Sequence, residues 1–261
     1  MFNGRSLVLN RAKADVKVFN DSLQLAKSLA LELKKNIFKA SLEGRNFSVA
    51  LCGGKTPLEF FRQLAKKEIR DTIPWEKVHL FWGDERCVPT NDVDSNFRVV
   101  SEILIKFIPI PHQNIHRIRG ESEPKLEAER YGKEIFSLLG NGKKDLPCFD
   151  WIILGLGIDG HTASIFPGDK HSLKTKNICA VSKNPETGQD RITLTMPVIN
   201  QAWRVVFIVT GRNKANIVCG IIEKNLLVQK CPAFYVNPKT GFLQWWLDED
   251  AASLLTNKCT P

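Results

Sequence analysis

An acid and a histidine, Asp159 and His161, stand among three glycines, Gly155, Gly157 and Gly160, directly after the apolar run 151–154. These residue types can do acid–base chemistry. An imidazole, with a reference pKa of about 6.5, takes and returns a proton near neutral pH, and a carboxylate beside it can orient the ring. A plainer arrangement uses the same residues: Asp159 capping a following helix and His161 satisfied by backbone.

Three further segments hold chemistry-bearing residues. Gly53 and Gly54 precede Lys55, Thr56 and Pro57; Asp84, Glu85 and Arg86 follow Gly83; and Gly211 opens the run Arg212, Asn213, Lys214. Two glycines ahead of a helix start let backbone N–H groups converge on an anion, which the helix dipole also favours. The first segment is equally compatible with a bare strand-to-helix turn. It matches neither the P-loop nor the dinucleotide fingerprint, so a simple phosphate monoester suits it better than a nucleotide. Arg86 either closes a self-contained salt-bridged loop or forks onto phosphate or carboxylate oxygens.

The elements that must position these residues can be read in order. Apolar, β-branched runs at 16–19, 47–51, 78–82, 115–118, 151–154, 178–181, 191–195, 205–210, 234–236 and 242–247 read as strands. Helical spacing connects Leu23, Ala26, Ala30, Leu33 and Ile37 behind a cap at Asn20 or Asp21. Thr56 and Glu59 form a capping box with Pro57 in the first turn. Asp94, Ser95 and Asn96 cap a helix carrying Phe97, Val100, Ile103 and Leu104; residues 121–139 read as a solvated helix leading into a loop at 140–147, and 169–176 as surface loop. A helix is expected over 215–222, and a last short one from Asp248. Four strands thus end in polar, glycine-containing loops, and a parallel sheet would gather them on one rim. His112 and His116 are four apart, but prolines and a strand separate them from helical geometry, so no metal site is read there.

The 261 residues are 43% hydrophobic and 25% charged, a globular composition, expected as one domain over 1–261. No apolar run approaches the roughly 18 residues of a membrane span, and residues 1–19 lack the apolar core of a secretory signal. Seven cysteines without a C-x-x-C pair suit a reducing compartment. A cytoplasmic address is therefore expected, without a membrane partner. The net charge of +9 is spread in singles and doublets, with no basic run for nucleic acid; it suits a small anionic substrate.

Taken together, CGGKTP, WGDERCVP with DSNFR, and LGLGIDGHTASIFPG resemble the 6-phosphogluconolactonase family, whose first loop reads S-G-G-S-T-P. RITLTMPVIN, VTGRNKA, CPAF and WWLDEDAA extend the likeness over nearly the whole chain. The resemblance implies an α/β fold with a Rossmann-like open, mostly parallel sheet and helices on both faces. It implies hydrolysis of 6-phospho-D-glucono-1,5-lactone without metal or organic cofactor, by a monomer or weak homo-oligomer. By similarity His161 is the general base with Asp159 beside it, and Gly53, Gly54, Thr56, Arg86, Arg191 and Lys214 hold the anion. Cys52 and Lys55 replace the family's serines; Lys55 adds charge near the phosphate, and Cys52, with no base beside it, is read as packing. Two rivals remain: a glucosamine-6-phosphate deaminase or isomerase with Asp84 as proton shuttle, and a non-catalytic sugar-phosphate sensor.

Overall fold

A computed structural model describes residues 5–8, 14–140, 146–223 and 228–256. Most of the loop expected at 140–147 lies outside them. The strands are β1 Arg5–Val8, β2 Ala14–Phe19, β3 Phe47–Leu51, β4 Val78–Trp82, β5 Asp84–Arg86, β6 Ile115–His116, β7 Trp151–Leu154, β8 Cys179–Lys183, β9 Asp190–Leu194, β10 Arg204–Val209 and β11 Phe242–Asp248. The helices are α1 Ser22–Leu42, α2 Pro57–Ala65, α3 Lys67–Arg70, α4 Asn96–Ile103, α5 Pro124–Leu139, α6 Lys170–Lys174, α7 Met196–Ile199, α8 Ala215–Ile222 and α9 Glu249–Ala252.

Eight strands form one sheet in the order β1-β2-β11-β10-β7-β3-β4-β6, parallel throughout except for the antiparallel pair β1 and β2. Every residue of β3 and β7 is buried. Successive side chains point to opposite faces, so both faces are covered, which is why β7 reads as a continuous apolar run and β3 as one broken only by Ser48. The chain leaves β3 through β4 and β6 on one side and returns through β7, β10 and β11 on the other. The order therefore reverses between β3 and β7, and ligands of open α/β sheets bind at such a reversal. The loop after β3 holds Gly53 and Gly54; the loop after β7 holds Asp159 and His161.

A second sheet, β5-β9-β8, is antiparallel and joins the first at Gly83. Gly83 N donates to Leu51 O at 2.8 Å, and Leu194 N donates to Gly83 O at 2.8 Å. The run from Asp84 to Arg86, read from sequence as a loop, is thus a strand. Its partner, β9, is a hundred residues away and invisible to local pattern.

Other expectations shift similarly. The helix over 121–139 begins at Pro124 and is not solvated all round: Glu127, Ala128, Tyr131, Gly132 and Ile135 are buried. Tyr131 Oη accepts from Trp82 N at 2.9 Å and donates to Trp82 O at 3.0 Å, satisfying the end of β4. The strand expected at 234–236 is a 3-10 turn, Pro232–Tyr235, where proline occupies the first position. Asp169 caps the short α6 inside the expected loop. Of the expected core positions of α1, Leu23 is exposed while Ala26, Ala30, Leu33 and Ile37 are buried, and Asp21 is the cap. β1 was not foreseen.

Candidate active site

The four polar loops surround one cavity of about 670 Å³ at the carboxyl ends of β3, β4, β7 and β10. Gly53, Gly54, Lys55, Thr56, Arg86, His161, Arg191 and Lys214 all line it. Asp159 does not: it stands behind the histidine. Its Oδ1 lies 2.6 Å from His161 Nδ1 and accepts from His161 N at 3.1 Å. A carboxylate in that place keeps the proton on Nδ1 and leaves Nε2 as the ring's acceptor. Burial opposes ionisation of Asp159, but the hydrogen bonds from the His161 ring and backbone outweigh it and hold the carboxyl below the usual range.

The loop after β7 is folded around this pair. Gly157 N donates to His161 O at 2.8 Å, and Thr162 Oγ1 donates to Gly155 O at 3.0 Å. A Cβ on Gly157 would fall 2.2 Å from His161 Nδ1 and 2.4 Å from Asp159 Oδ1, so only glycine lets the dyad form. The Phe166 ring, 4.9 Å from the imidazole, packs on its other side.

Across the cavity the glycine loop leads into α2, but without the expected capping box. Thr56 has helical backbone, φ −60° and ψ −43°, and makes no cap hydrogen bond, since a capping side chain needs an extended backbone at that position. Its hydroxyl instead lies 3.2 Å from Thr210 Oγ1, and Glu59 accepts from Gln63 Nε2 at 2.6 Å. At the start of α2 itself Pro57 has no N–H and Leu58 N donates to Lys55 O at 3.3 Å, so any backbone donors for a ligand come from the glycine loop ahead of it.

The segment after β4 divides its labour. Glu85 is buried and accepts from Arg86 N, Asn96 N and Phe97 N, each at 2.8 Å, and from Ser95 Oγ at 3.1 Å. It organises the turn into α4, where Ser95 is the cap. With Glu85 committed to these donors, Arg86 forms no ion pair among the described residues; its guanidinium donates to the carbonyl of Asp94. Arg86 and Arg191 pair across β5 and β9, and the Nε of each is buried without a hydrogen-bond partner. Burial, then the charge of Arg86, lowers the pKa of Arg191. Burial likewise lowers Lys214, against the pull of Asp159. Burial and the Asp84 carboxylate push the Cys52 thiol up, so it is a protonated packing residue.

Several lining residues were not among the site residues expected from sequence: Asn96, Ala163, Ser164, Asn184 and Thr210. Asn96 fills the space a Cβ on Gly53 would need, its Oδ1 1.8 Å from that point, while its Nδ2 donates to Asp84 O at 2.9 Å. An asparagine just after a capping serine is the only local signal, and it reads as a second cap.

Fold and cavity together define a Rossmann-like α/β protein with a ligand site at the switch point, where a basic, glycine-rich wall faces a carboxylate-backed histidine. The chain belongs to the glucosamine-6-phosphate isomerase/6-phosphogluconolactonase family, whose profile matches residues 20–245. It is 42% identical over 207 residues to the 6-phosphogluconolactonase of Haemophilus influenzae, covering 79% of this chain and 87% of that one. Among solved structures, that of the devB protein superposes with a TM-score of 0.86 at 37% identity, covering 93% of this chain and all of that one. The 6-phosphogluconolactonase from Trypanosoma brucei gives 0.80 at 29% identity, covering 92% and 98%. Among the described residues no helix is long and apolar enough to cross a membrane.

Proposed function

We propose that the chain hydrolyses 6-phospho-D-glucono-1,5-lactone to 6-phospho-D-gluconate, with His161 as the base that activates water. The lactonase class is supported by the similarity to 6-phosphogluconolactonases over most of the chain. The observation that carries the mechanism is the 2.6 Å contact of Asp159 Oδ1 with His161 Nδ1 on the wall opposite the glycine loop.

The phosphate sits on the N–H groups of Gly53, Gly54 and Lys55 at the start of α2, with the Thr56 hydroxyl and the Lys55 and Lys214 ammonium groups. His161 Nε2 takes a proton from water as the hydroxide oxygen bonds to the lactone carbonyl carbon. The oxyanion that forms accepts from the guanidinium groups of Arg86 and Arg191, both of which line the cavity. The tetrahedral carbon then re-forms its carbonyl, the ring C–O bond breaks, and the leaving ring oxygen takes the proton back from His161. Asp159 keeps the ring in one tautomer and stabilises the transient imidazolium, as the acid of a triad does. A lactone is an activated ester, so one base, positioning and fixed donors suffice without a metal.

The test is the hydrolysis rate of freshly generated lactone above its spontaneous background. His161→Ala should lower kcat by about 10²- to 10⁴-fold. A wild type at background rate sinks the activity, and a fully active His161→Ala sinks the mechanism alone. Asp84 also lines the cavity, so the deaminase reading is kept in the same experiment: ammonia release from glucosamine 6-phosphate would favour it.

A further inference from the structure

Ser164 lies three residues beyond His161, is 2% exposed, and uses every polar group it has on the second sheet. Its Oγ donates to Asp84 Oδ2 on β5 at 2.7 Å, its N donates to Thr193 Oγ1 on β9 at 3.2 Å, and its carbonyl accepts from Ser182 Oγ on β8 at 2.6 Å. One residue of the histidine loop is thus pinned to all three strands of the sheet that carries Arg86 and Arg191. The pin sits inside a tight turn closed by Thr162 and Ile165, with Ile165 N donating to Thr162 O at 3.0 Å, and Ala163, beside it in the turn, has φ +48°. Ala163 has the only positive φ among the described non-glycine residues. An L-residue keeps that conformation only where its surroundings over-determine it.

We infer that Ser164 is a positioning residue, and that its three bonds set the place of His161 relative to the Arg86 and Arg191 pair. The tie runs from the loop that bears the base to the sheet that bears the oxyanion donors. The second sheet is also joined to the rest of the fold at Gly83 and by its packing on α4, α5 and α6, but Ser164 is where the histidine loop itself meets all three of its strands. Asp84, which also lines the cavity, has one carboxylate oxygen committed to this tie. The inference rests on the reading of His161 as the base.

The experiment measures kcat and KM for the lactone in Ser164→Ala, Ser182→Ala and Thr193→Val, each alone and in the His161→Ala background. Ser164→Ala should lower kcat about 10- to 100-fold with KM little changed, since a small misplacement of a reacting group costs that much. Ser182→Ala and Thr193→Val should lower it less, and they carry the test if Ser164→Ala does not fold. In the His161→Ala background the substitutions should cost nothing further, because they act through that ring. An unchanged kcat in an active protein, or the same loss with and without His161, overturns the inference while leaving the activity standing. A wild type without activity instead sinks the lactonase reading, and the His161 ring ¹H–¹⁵N signals then decide this one: a shift in Ser164→Ala supports the tie, and none removes it.

Discussion

Arg86 of β5 and Arg191 of β9 face each other directly across an antiparallel strand pair, each with a buried Nε that has no hydrogen-bond partner. Like charges in directly opposed positions cost a sheet stability. The arrangement makes sense when an anion or a developing oxyanion lies between them, and it is the clearest electrostatic mark of the site.

Removing either arginine should therefore weaken ligand binding more than folding. Arg191→Ala should lower kcat/KM by roughly 10- to 150-fold, the range for a lost hydrogen bond to a charged group. If the pair serves the oxyanion, kcat falls with kcat/KM; if it serves the phosphate, KM rises alone. Without ligand the melting temperature should stay level or rise, while the stabilisation that 6-phosphogluconate adds to the wild type should shrink. A melting temperature that drops strongly without ligand would make the pair a structural element instead.

Gly157 gives a sharper steric test. Gly157→Ala places a methyl group within 2.4 Å of both Asp159 Oδ1 and His161 Nδ1. The loop must open, breaking the dyad, and kcat should fall by about two orders of magnitude. Circular dichroism should remain native, because the loop lies outside both sheets. Wild-type turnover in this variant would show that the dyad is dispensable.

Outside the cavity lining, a stacked histidine pair, His79 and His116, should make stability depend on pH. Asn46 Nδ2 reaches His79 Nε2 at 3.2 Å, His79 Nδ1 reaches His116 Nε2 at 2.9 Å, and His116 Nδ1 reaches Glu134 Oε1 at 2.8 Å, with Arg130 also on Glu134. The Phe81 ring stacks on His116. With both rings neutral every bond in this chain has one donor and one acceptor; an added proton on either ring sets two donors face to face. Burial, then His116, accordingly depresses the pKa of His79. The unfolded chain takes up that proton first, so stability should fall as pH drops through the ordinary imidazole range near ~6.5 and level off below the folded value. Melting temperatures from pH 8 to 5 check this. His79→Asn should flatten the slope, and an unaltered slope would place the acid sensitivity elsewhere.

Lys55 stands where the resembling family has serine, and it lines the cavity. Lys55→Ser should raise KM for the phosphorylated lactone several-fold with kcat unchanged, about 1 kcal/mol for one exposed charge. The difference should fade as salt rises from about 0.01 to 0.5 M, because the Debye length shrinks from about 30 Å to a few. An effect independent of salt would mean that Lys55 acts by shape.

The strands 47–51, 78–82 and 151–154 were legible to the residue, because a strand covered on both faces is written as a mainly apolar run, interrupted here only by Ser48 and His79. The site glycines and His161 were legible as a motif. Asn96 and Ser164 were not, since each is a small polar residue whose significance lies in partners on other strands. The misreadings share that origin. Asp84 to Arg86 became a strand only by meeting β9, and Thr56 lost its capping role to a helical backbone that the Thr-x-x-Glu pattern does not encode.

By itself the sequence determined which segments are buried strands, that polar, glycine-rich loops follow four of them, and which residue types those loops contain. Hydrophobic periodicity and glycine placement are local properties of a chain. Only the tertiary structure decided that β3 and β7 are neighbours, that the second sheet sets Arg86 against Arg191, and that Asp159 lies behind His161 instead of in the cavity. The first two are facts of strand order and register between residues about a hundred positions apart, the third of the backbone path of a single loop, and no residue pattern carries them.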